Sequence, residues 1–171
     1  ISKKRARLLN RLVRYLRIEN ALEIGTSVGI GSVAMAAENT VRVTTLEGCP
    51  ATAEIARENF NAFGFESIIS KVGEFNELLN DPDILASSYD LIYFDGNHQK
   101  QASIDYFETL LPLAHNDSVF IFDDIHWSPE MTEAWEIIKA HPSVKVSIDT
   151  FFWGMVFFRK EQEKQHFIIR S

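Results

Sequence analysis

The sequence predicts a single α/β domain: a doubly wound, mostly parallel sheet with helices on both faces and a closing antiparallel hairpin. Its 171 residues are enough for one domain with a sizeable core and leave little room for a second. Short apolar runs alternate with helical stretches of about 10–15 residues, the pattern of right-handed strand–helix–strand crossovers. Runs such as 91–94 and 119–122 are continuously apolar, as in parallel strands covered on both faces.

The first predicted element is a basic amphipathic helix at residues 1–18. Its apolar residues recur at helical spacing and are Leu8, Leu9, Leu12, Val13 and Leu16. Seven of the 17 Lys and Arg residues fall in this segment and all 24 Asp and Glu residues lie beyond it, so a head of charge +7 precedes a body of charge −14. Two roles stay open for the basic face: a solvated outer surface, or contact with an anionic partner.

The remaining elements follow in order from the apolar periodicity. The predicted strands are 21–24, 41–46, 67–72, 91–94, 119–122, 144–148 and 151–158. The predicted helices are 30–38, 50–63, 75–86, 101–111 and 128–140. Pro50 and Pro129 suit the first turn of a helix, whereas Pro82 must break or restart the one it falls in. The core sheet is therefore expected within 19–159, and residues 160–171 are expected to form a C-terminal tail.

The composition excludes several classes of protein. With 46% hydrophobic and 24% charged residues, the chain is neither disordered nor collagen-like. No apolar run approaches the roughly 20 residues of a membrane helix. The single cysteine, Cys49, cannot form an internal disulfide or a cysteine metal cage, and no signal-peptide pattern opens the sequence. We therefore expect a reducing, cytoplasmic setting.

Acidic side chains lie at or just past the end of every predicted parallel strand. They are Glu23, Glu47, Glu74, Asp95, Asp123 and Asp124. Ligands of doubly wound sheets bind outside the carboxyl ends of the strands. An edge lined with carboxylates would repel a phosphate-rich ligand and would stabilise a cationic ligand or a hard metal ion. The alternative is that these residues only cap the helices that follow them.

A glycine-bearing turn, within residues 22–31, follows the first strand. Gly25 and Gly29 allow positive φ and a close approach of a ligand to the backbone, and the next helix offers free N–H groups to an anion such as a carboxylate. The stretch from Gly29 to Ala34 also matches the G-x-G-x-x-A dinucleotide fingerprint, so a nicotinamide enzyme is an alternative. That match begins five residues after the strand instead of directly, and Glu23 would face the pyrophosphate, which disfavours this alternative.

Four segments occur in a familiar order within residues 8–159: LEIGTSVGIGSVAMA, VTTLEGCPATAEIARENF, DLIYFDGNHQ and VFIFDD. Together they resemble the class I S-adenosylmethionine-dependent methyltransferases, and among these the small-molecule O-methyltransferases of the catechol type. The resemblance implies a Rossmann-like fold and methyl transfer from S-adenosyl-L-methionine to a hydroxyl oxygen of a small molecule. Two alternatives stay open: N-methylation of a small amine, and a non-catalytic domain of the same fold that binds the cofactor or a partner.

The resemblance also implies which residues contact the cofactor. It assigns the methionine moiety to Glu23, Gly25, Thr26, Ser27 and Gly29, the ribose hydroxyls to Glu47, the adenine pocket to Gly73 and Glu74, and a further contact to Asp95. The chain departs from the catechol-type pattern at Gly31, where a serine often binds the cofactor carboxylate. Ser32 or backbone N–H groups would have to replace it.

By the same resemblance, Asp95, Asp123 and Asp124 would bind Mg²⁺ or another divalent cation, although the family has an asparagine where Asp124 stands. Such an ion could hold two neighbouring substrate oxygens and lower a hydroxyl pKa. His98 stands where the family has a catalytic lysine, and an imidazole can accept a hydroxyl proton near neutral pH. His98 and Asp95 are therefore the expected catalytic residues. His126 is a second candidate base, with a structural role as its alternative.

A small molecule is the expected methyl acceptor. Four aromatic residues could stack on an aromatic acceptor or could belong to the core, and these are Trp127, Phe151, Phe152 and Trp153. We expect neither a membrane nor a nucleic acid as partner. A homodimer stays open.

Overall fold

The computed structural model describes residues 1–38, 40–65 and 67–170, which form an eight-stranded sheet with helices packed against it. The strands are β1 (Asn20–Ile24), β2 (Arg42–Glu47), β3 (Ile68–Val72), β4 (Tyr89–Phe94), β5 (Ala114–Asp123), β6 (Val146–Asp149), β7 (Trp153–Phe157) and β8 (Gln165–Ile168). The helices are α1 (Lys3–Leu16), α2 (Ile30–Ala36), α3 (Pro50–Phe63), α4 (Phe75–Leu78), α5 (Pro82–Leu85), α6 (Lys100–Leu110) and α7 (Pro129–Ala140), with a 3₁₀ turn at Leu111–Leu113.

The strand order is β3-β2-β1-β4-β5-β7-β6-β8. Strands β1 to β5 pair in parallel, whereas β7 runs antiparallel to both β5 and β6. The winding reverses between β1 and β4, so the loops that follow these two strands meet at the point where such folds bind ligands. The predicted doubly wound sheet and its closing hairpin are confirmed.

Both faces of the central strands are buried. In β4, Ile92 and Phe94 belong to one apolar cluster, while Leu91 and Tyr93 belong to the other. Successive side chains of a strand point to opposite faces, which explains why these strands are continuously apolar. The first cluster includes residues of α6 and α7, and the second includes residues of α1 and α2. No helix among the described residues combines the length and apolarity needed to cross a bilayer.

Helix α1 is fixed to the body by its apolar face and by one polar side chain. Leu9 and Val13 are buried, and the Asn10 amide donates hydrogen bonds to two carbonyl oxygens at the end of α2, at 3.1 and 2.6 Å. Of the seven basic residues in this segment, six are exposed and only Arg5 is half-buried. The helix thus packs on the body through its apolar face and leaves most of its basic residues exposed, and contact with an anionic partner stays a prediction.

The region predicted as one helix at 75–86 consists of the two short helices α4 and α5. The Asp81 side chain accepts a hydrogen bond from the Asp83 N–H at 2.8 Å and so caps α5 at its start. Pro82 occupies the first position of α5, where its missing N–H costs nothing. The proline therefore restarts the helix, which was one of the two predicted outcomes.

The predicted C-terminal tail is wrong in part, because β8 lies within it and pairs in parallel with β6 at the edge of the sheet. Its four residues are exposed, so they lack the apolar alternation by which a strand is recognised. Side chains hold it in place: His166 Nδ1 is hydrogen-bonded to Ser147 Oγ at 2.7 Å, and the Arg170 guanidinium donates to Asp149 Oδ1 at 2.9 Å. Backbone pairing and these two contacts define the strand.

The strands of the closing hairpin are shorter than predicted, and the connection between them is three residues long instead of two. The strands are 146–149 and 153–157, and the turn between them includes Phe151 at φ 76°. The Thr150 N–H donates to the Trp153 carbonyl at 2.8 Å, which closes this turn. Residues 144–145, 151–152 and 158, predicted as strand, lie outside the two strands. The turn places Phe151 and Phe152 at the same edge as the end of β5.

Candidate active site

The loop after β1 packs directly against the loop after β4. Gly25 has φ +101°, and a Cβ added there would lie 2.4 Å from the Asp95 carbonyl oxygen. Gly29 has φ +87°, and a Cβ there would lie 2.4 Å from the Phe60 ring. Only glycine adopts this backbone conformation readily and also fits where a Cβ atom would clash. The predicted positive φ values are confirmed, and the close approach at both positions is to other parts of this protein.

Glu23 lies beneath this loop, only 1% exposed. Its Oε2 accepts hydrogen bonds from Ser32 Oγ and, at 2.6 Å, from Thr45 Oγ1. Its Oε1 has no hydrogen-bond partner among the described residues. Burial raises the pKa of Glu23 from its ordinary 4.5 to about 7, against the smaller opposing effect of the two hydroxyl donors. The carboxyl group is therefore a buried acceptor with spare capacity.

The position of Glu23 accounts for the glycine at position 31. A Cβ on Gly31 would lie 2.1 Å from Glu23 Oε1, so no larger residue fits unless that carboxyl group moves. Ser32 is fully buried and donates its hydroxyl to Glu23, and Thr26 is 2% exposed with its Oγ1 2.6 Å from Thr45 Oγ1. The side chains of Thr26 and Ser32 thus support Glu23 from within and are not exposed to a ligand outside the loop.

Glu47, at the end of β2, presents an oriented carboxylate. Its Oε2 accepts from the Ser27 N–H at 2.8 Å and its Oε1 accepts from the Cys49 N–H at 2.9 Å. The side chain is half-buried, so part of the carboxylate stays accessible from outside the protein. Each ionised oxygen has further lone pairs, so both can accept another hydrogen bond.

Gly73 and Glu74 lie beside Glu47, as the sequence predicts for one shared edge of the sheet. The Gly73 N–H donates to the Glu47 carbonyl oxygen at 3.0 Å. Glu74 is exposed and precedes α4, where its carbonyl accepts from two amides of the first turn. The sequence-predicted ribose and adenine residues are therefore neighbours.

Asp95 and Asp123, at the ends of β4 and β5, face each other across one hydroxyl group. The Tyr93 hydroxyl lies 3.1 Å from Asp95 Oδ2 and 3.2 Å from Asp123 Oδ2. Burial, followed by the neighbouring Asp123 carboxylate, raises the pKa of Asp95. Burial and these two carboxylates also raise the pKa of Tyr93, so its hydroxyl stays a proton donor. One carboxyl group of the pair is therefore readily protonated.

A guanidinium group pairs with two of the three carboxylates that were predicted to bind a metal. Arg5 Nη1 lies 2.5 Å from Asp123 Oδ1 and 3.6 Å from Asp124 Oδ1, and the Arg5 guanidinium lies over the Phe152 ring at 5.2 Å. Asp124 has φ 52°, and its N–H donates to the same Asp123 Oδ1 at 2.9 Å. Among the described residues, no three His, Cys, Asp or Glu side chains converge as metal ligands. Asp95, Asp123 and Asp124 therefore do not form the predicted cation site in this arrangement.

The two candidate histidines lie in different environments. His98 is half-exposed in the loop between β4 and α6, three residues after Asp95. His126 is held on both sides of its ring: Nε2 is 2.9 Å from Asp149 Oδ2 and Nδ1 is 3.1 Å from Thr132 Oγ1. Its two ring nitrogens are thus engaged within the protein, which favours the structural role. His98 stays the candidate base.

The four aromatic candidates divide into two groups. Trp153 is 1% exposed and belongs to the core, next to Tyr93. Trp127, Phe151 and Phe152 are 73%, 49% and 53% exposed. These three side chains follow β5 or form the hairpin turn, so they surround the end of β5 and offer apolar surface to a ligand.

Sequence reasoning missed three residues that complete this region, namely Arg5, Thr45 and Tyr93. A signal for Arg5 was present: it lies four residues before Leu9, on the buried face of α1 and not on the basic one. Tyr93 and Thr45 lie within strands and carry their hydroxyls to the buried carboxylates from there. In sequence alone, a polar atom on a strand residue does not reveal which neighbour it will meet.

Comparison with known proteins identifies relatives of this arrangement. The profile of a family described as a methyltransferase domain matches residues 22–125, which include most of β1 and all of β2, β3, β4 and β5. A catechol O-methyltransferase of Mycobacterium tuberculosis is 28% identical over 128 residues, which are 73% of this chain and 56% of that protein. One of Niastella koreensis is 26% identical over 131 residues, which are 73% and 58% of the two chains. This chain therefore spans little more than half the length of these relatives.

The solved structures include an O-methyltransferase from Bacillus cereus in complex with SAH. It is 25% identical to this chain and superposes with a TM-score of 0.77, covering 92% of this chain and 82% of its own. The similarity extends over nearly all of the described sheet and helices. This chain therefore shares the fold of a protein whose structure contains SAH.

Proposed function

Because this chain belongs to the methyltransferase domain family, as a class I S-adenosylmethionine-dependent member resembling the catechol O-methyltransferases, we propose that it methylates a hydroxyl oxygen of a small molecule. The observation that carries the proposal is Glu47. Its carboxylate is fixed by two backbone N–H groups at the end of β2, beside the glycine loop, with acceptor capacity left on both oxygens. This geometry suits a pair of neighbouring hydroxyl groups.

The hydrogen-bonding groups at the ends of β1, β2 and β3 fit S-adenosylmethionine. Glu47 would accept from both ribose hydroxyls, and Gly73 and Glu74 would line the adenine. The backbone from Gly25 to Gly29 would contact the methionine end, with Glu23 below it. The unpartnered Oε1 of Glu23 would favour a cationic group above the loop, because a nearby positive charge stabilises an ionised carboxylate.

The residues around the ends of β4 and β5 would position and activate the acceptor. When bound, S-adenosylmethionine supplies an electrophilic methyl group on its sulfonium sulfur. His98 would accept the proton of the acceptor hydroxyl, and Asp95 would orient that hydroxyl through a hydrogen bond. The exposed rings of Trp127, Phe151 and Phe152 would stack on an aromatic acceptor. No step is assigned to a metal, because Arg5 already pairs with Asp123.

The proposal is tested by incubating the protein with S-adenosylmethionine carrying a labelled methyl group and a panel of phenols, catechols and aromatic amines. We expect label in the O-methylated product of at least one phenol or catechol. The names of the two curated relatives support catechols as the first acceptors to try. Label found only in methylated amines would contradict the choice of oxygen as the acceptor atom.

Replacing His98 with alanine is expected to lower kcat about 100-fold or more, because general-base catalysis contributes roughly that much. His115→Ala is the matched control, because His115 lies at the opposite end of β5 from Asp123. Equal rates for His98→Ala and the wild-type protein would remove His98 from the mechanism.

A further inference from the structure

Arg5 is set apart from the other basic residues of α1. The other six Lys and Arg residues of the N-terminal segment are exposed, whereas the Arg5 side chain is directed at the end of β5, 118 residues away in sequence. Its position is fixed along the helix: Leu9 and Val13 are buried one and two turns later. The inward direction of Arg5 is therefore a consequence of how α1 packs.

The guanidinium is held at the acidic edge from two sides. Nη1 donates to Asp123 Oδ1 at 2.5 Å, and the planar group lies over the exposed ring of Phe152 at 5.2 Å. Cation–π contact and a charge-assisted hydrogen bond together fix its orientation. A guanidinium has five N–H donors, so most of them stay available for a ligand oxygen.

The charges at this edge need a positive partner. Asp95, Asp123 and Asp124 follow two adjacent strands, and Arg5 is the only Lys or Arg side chain among the described residues that pairs with either Asp123 or Asp124. Asp123 Oδ1 accepts from both Arg5 and the Asp124 N–H, while Oδ2 meets the Tyr93 hydroxyl. Asp123 Oδ1 is thus engaged by two donors and Oδ2 by one, which leaves Oδ2 alone with room for a further contact.

We propose that Arg5 supplies the positive charge that a divalent cation would otherwise supply at this edge. The N-terminal helix thus completes the acceptor side of the site, and its guanidinium holds Asp123 and is available to an acceptor oxygen. The consequence for the acceptor rests on the proposed methyl transfer. Arg5 would disfavour metal binding in the protein alone, so this part of the proposal can be tested without cofactor or acceptor.

The test measures Mn²⁺ binding by electron paramagnetic resonance, which distinguishes free from protein-bound ion. The variants are Arg5→Met, which keeps an unbranched apolar side chain and good helix propensity, and Arg5→Lys, which keeps the charge. Arg7→Ala, on the exposed face of the same helix, removes an equal charge as the control. Circular dichroism establishes that each variant is folded.

We expect Arg5→Met to bind Mn²⁺ at least about tenfold more tightly than wild type, because Coulomb repulsion between a divalent ion and a nearby guanidinium is removed. Wild type, Arg5→Lys and Arg7→Ala should bind equally weakly. Tight binding by wild type, or equal binding by wild type and Arg5→Met, would overturn the proposal. If Arg5→Met does not fold, Arg5→Lys decides: Mn²⁺ binding tighter than that of wild type would overturn the proposal, and binding as weak as that of wild type would support it.

Discussion

Replacing Glu47 with alanine is expected to weaken S-adenosylmethionine binding by at least about 100-fold. Hydrogen bonds to a charged group contribute about 1.5–3 kcal/mol each, and the Glu47 carboxylate can accept two from a pair of hydroxyls. Loss of the carboxylate should cost little stability, because the Ser27 and Cys49 N–H groups that it accepts from lie at an exposed edge where water can replace it. Isothermal titration calorimetry measures the effect.

The matched control for this variant is Glu58→Ala. Glu58 is exposed on α3 and loses the same charge, so any general electrostatic effect on cofactor binding appears in both variants. We expect Glu58→Ala to bind like wild type. An affinity of Glu47→Ala within about threefold of wild type, a difference below 1 kcal/mol, would show that Glu47 does not contact the cofactor.

Replacing Glu23 with glutamine is expected to change how the stability of the apoprotein depends on pH. Burial raises the pKa of Glu23 from 4.5 to about 7, so the folded state binds a proton more tightly than the unfolded state. Glu23 therefore contributes its full stabilisation at pH values below its pKa in the unfolded state. This contribution is lost as the pH rises through its pKa in the folded state. The loss from about pH 5 to about pH 8 amounts to about 3 kcal/mol of unfolding free energy.

Urea unfolding of both proteins across this pH range tests the prediction. Asp95 also has a raised pKa and contributes a fall of the same sign, so the difference between wild type and Glu23→Gln isolates Glu23. Glu58→Gln, which removes an exposed carboxylate, should follow the wild-type curve. Parallel curves for wild type and Glu23→Gln would mean that Glu23 titrates in the folded protein as it does in the unfolded chain.

The parts of the fold that follow from periodicity could be predicted from sequence. Residues 91–94 of β4 and 119–122 of β5 are continuous apolar runs because both of their faces are covered, and α3 begins at Pro50 as expected. The strand β8 could not be predicted, since its four residues are exposed and its position depends on pairing with β6. Such an edge strand is specified by tertiary contacts and not by local pattern.

The location of the candidate site could be predicted from the sequence, but the contacts among its residues could not. Strand ends converge in any doubly wound sheet, so Glu23, Glu47, Asp95 and Asp123 were expected together. The sequence did not reveal that Glu23 is buried under the loop, because this depends on the hydroxyls and the glycine that surround it. Nor did it reveal Arg5 on Asp123, which depends on the packing of α1.

Cofactor binding is the most direct test of the central claim, that the strand ends bind S-adenosylmethionine. The purified protein is titrated calorimetrically with S-adenosylmethionine, with SAH and with NAD, in the presence of EDTA. We expect one site per chain for S-adenosylmethionine and SAH, with a dissociation constant in the micromolar range or below, and no heat with NAD. Binding of NAD in place of S-adenosylmethionine, or no binding of either, would contradict the account.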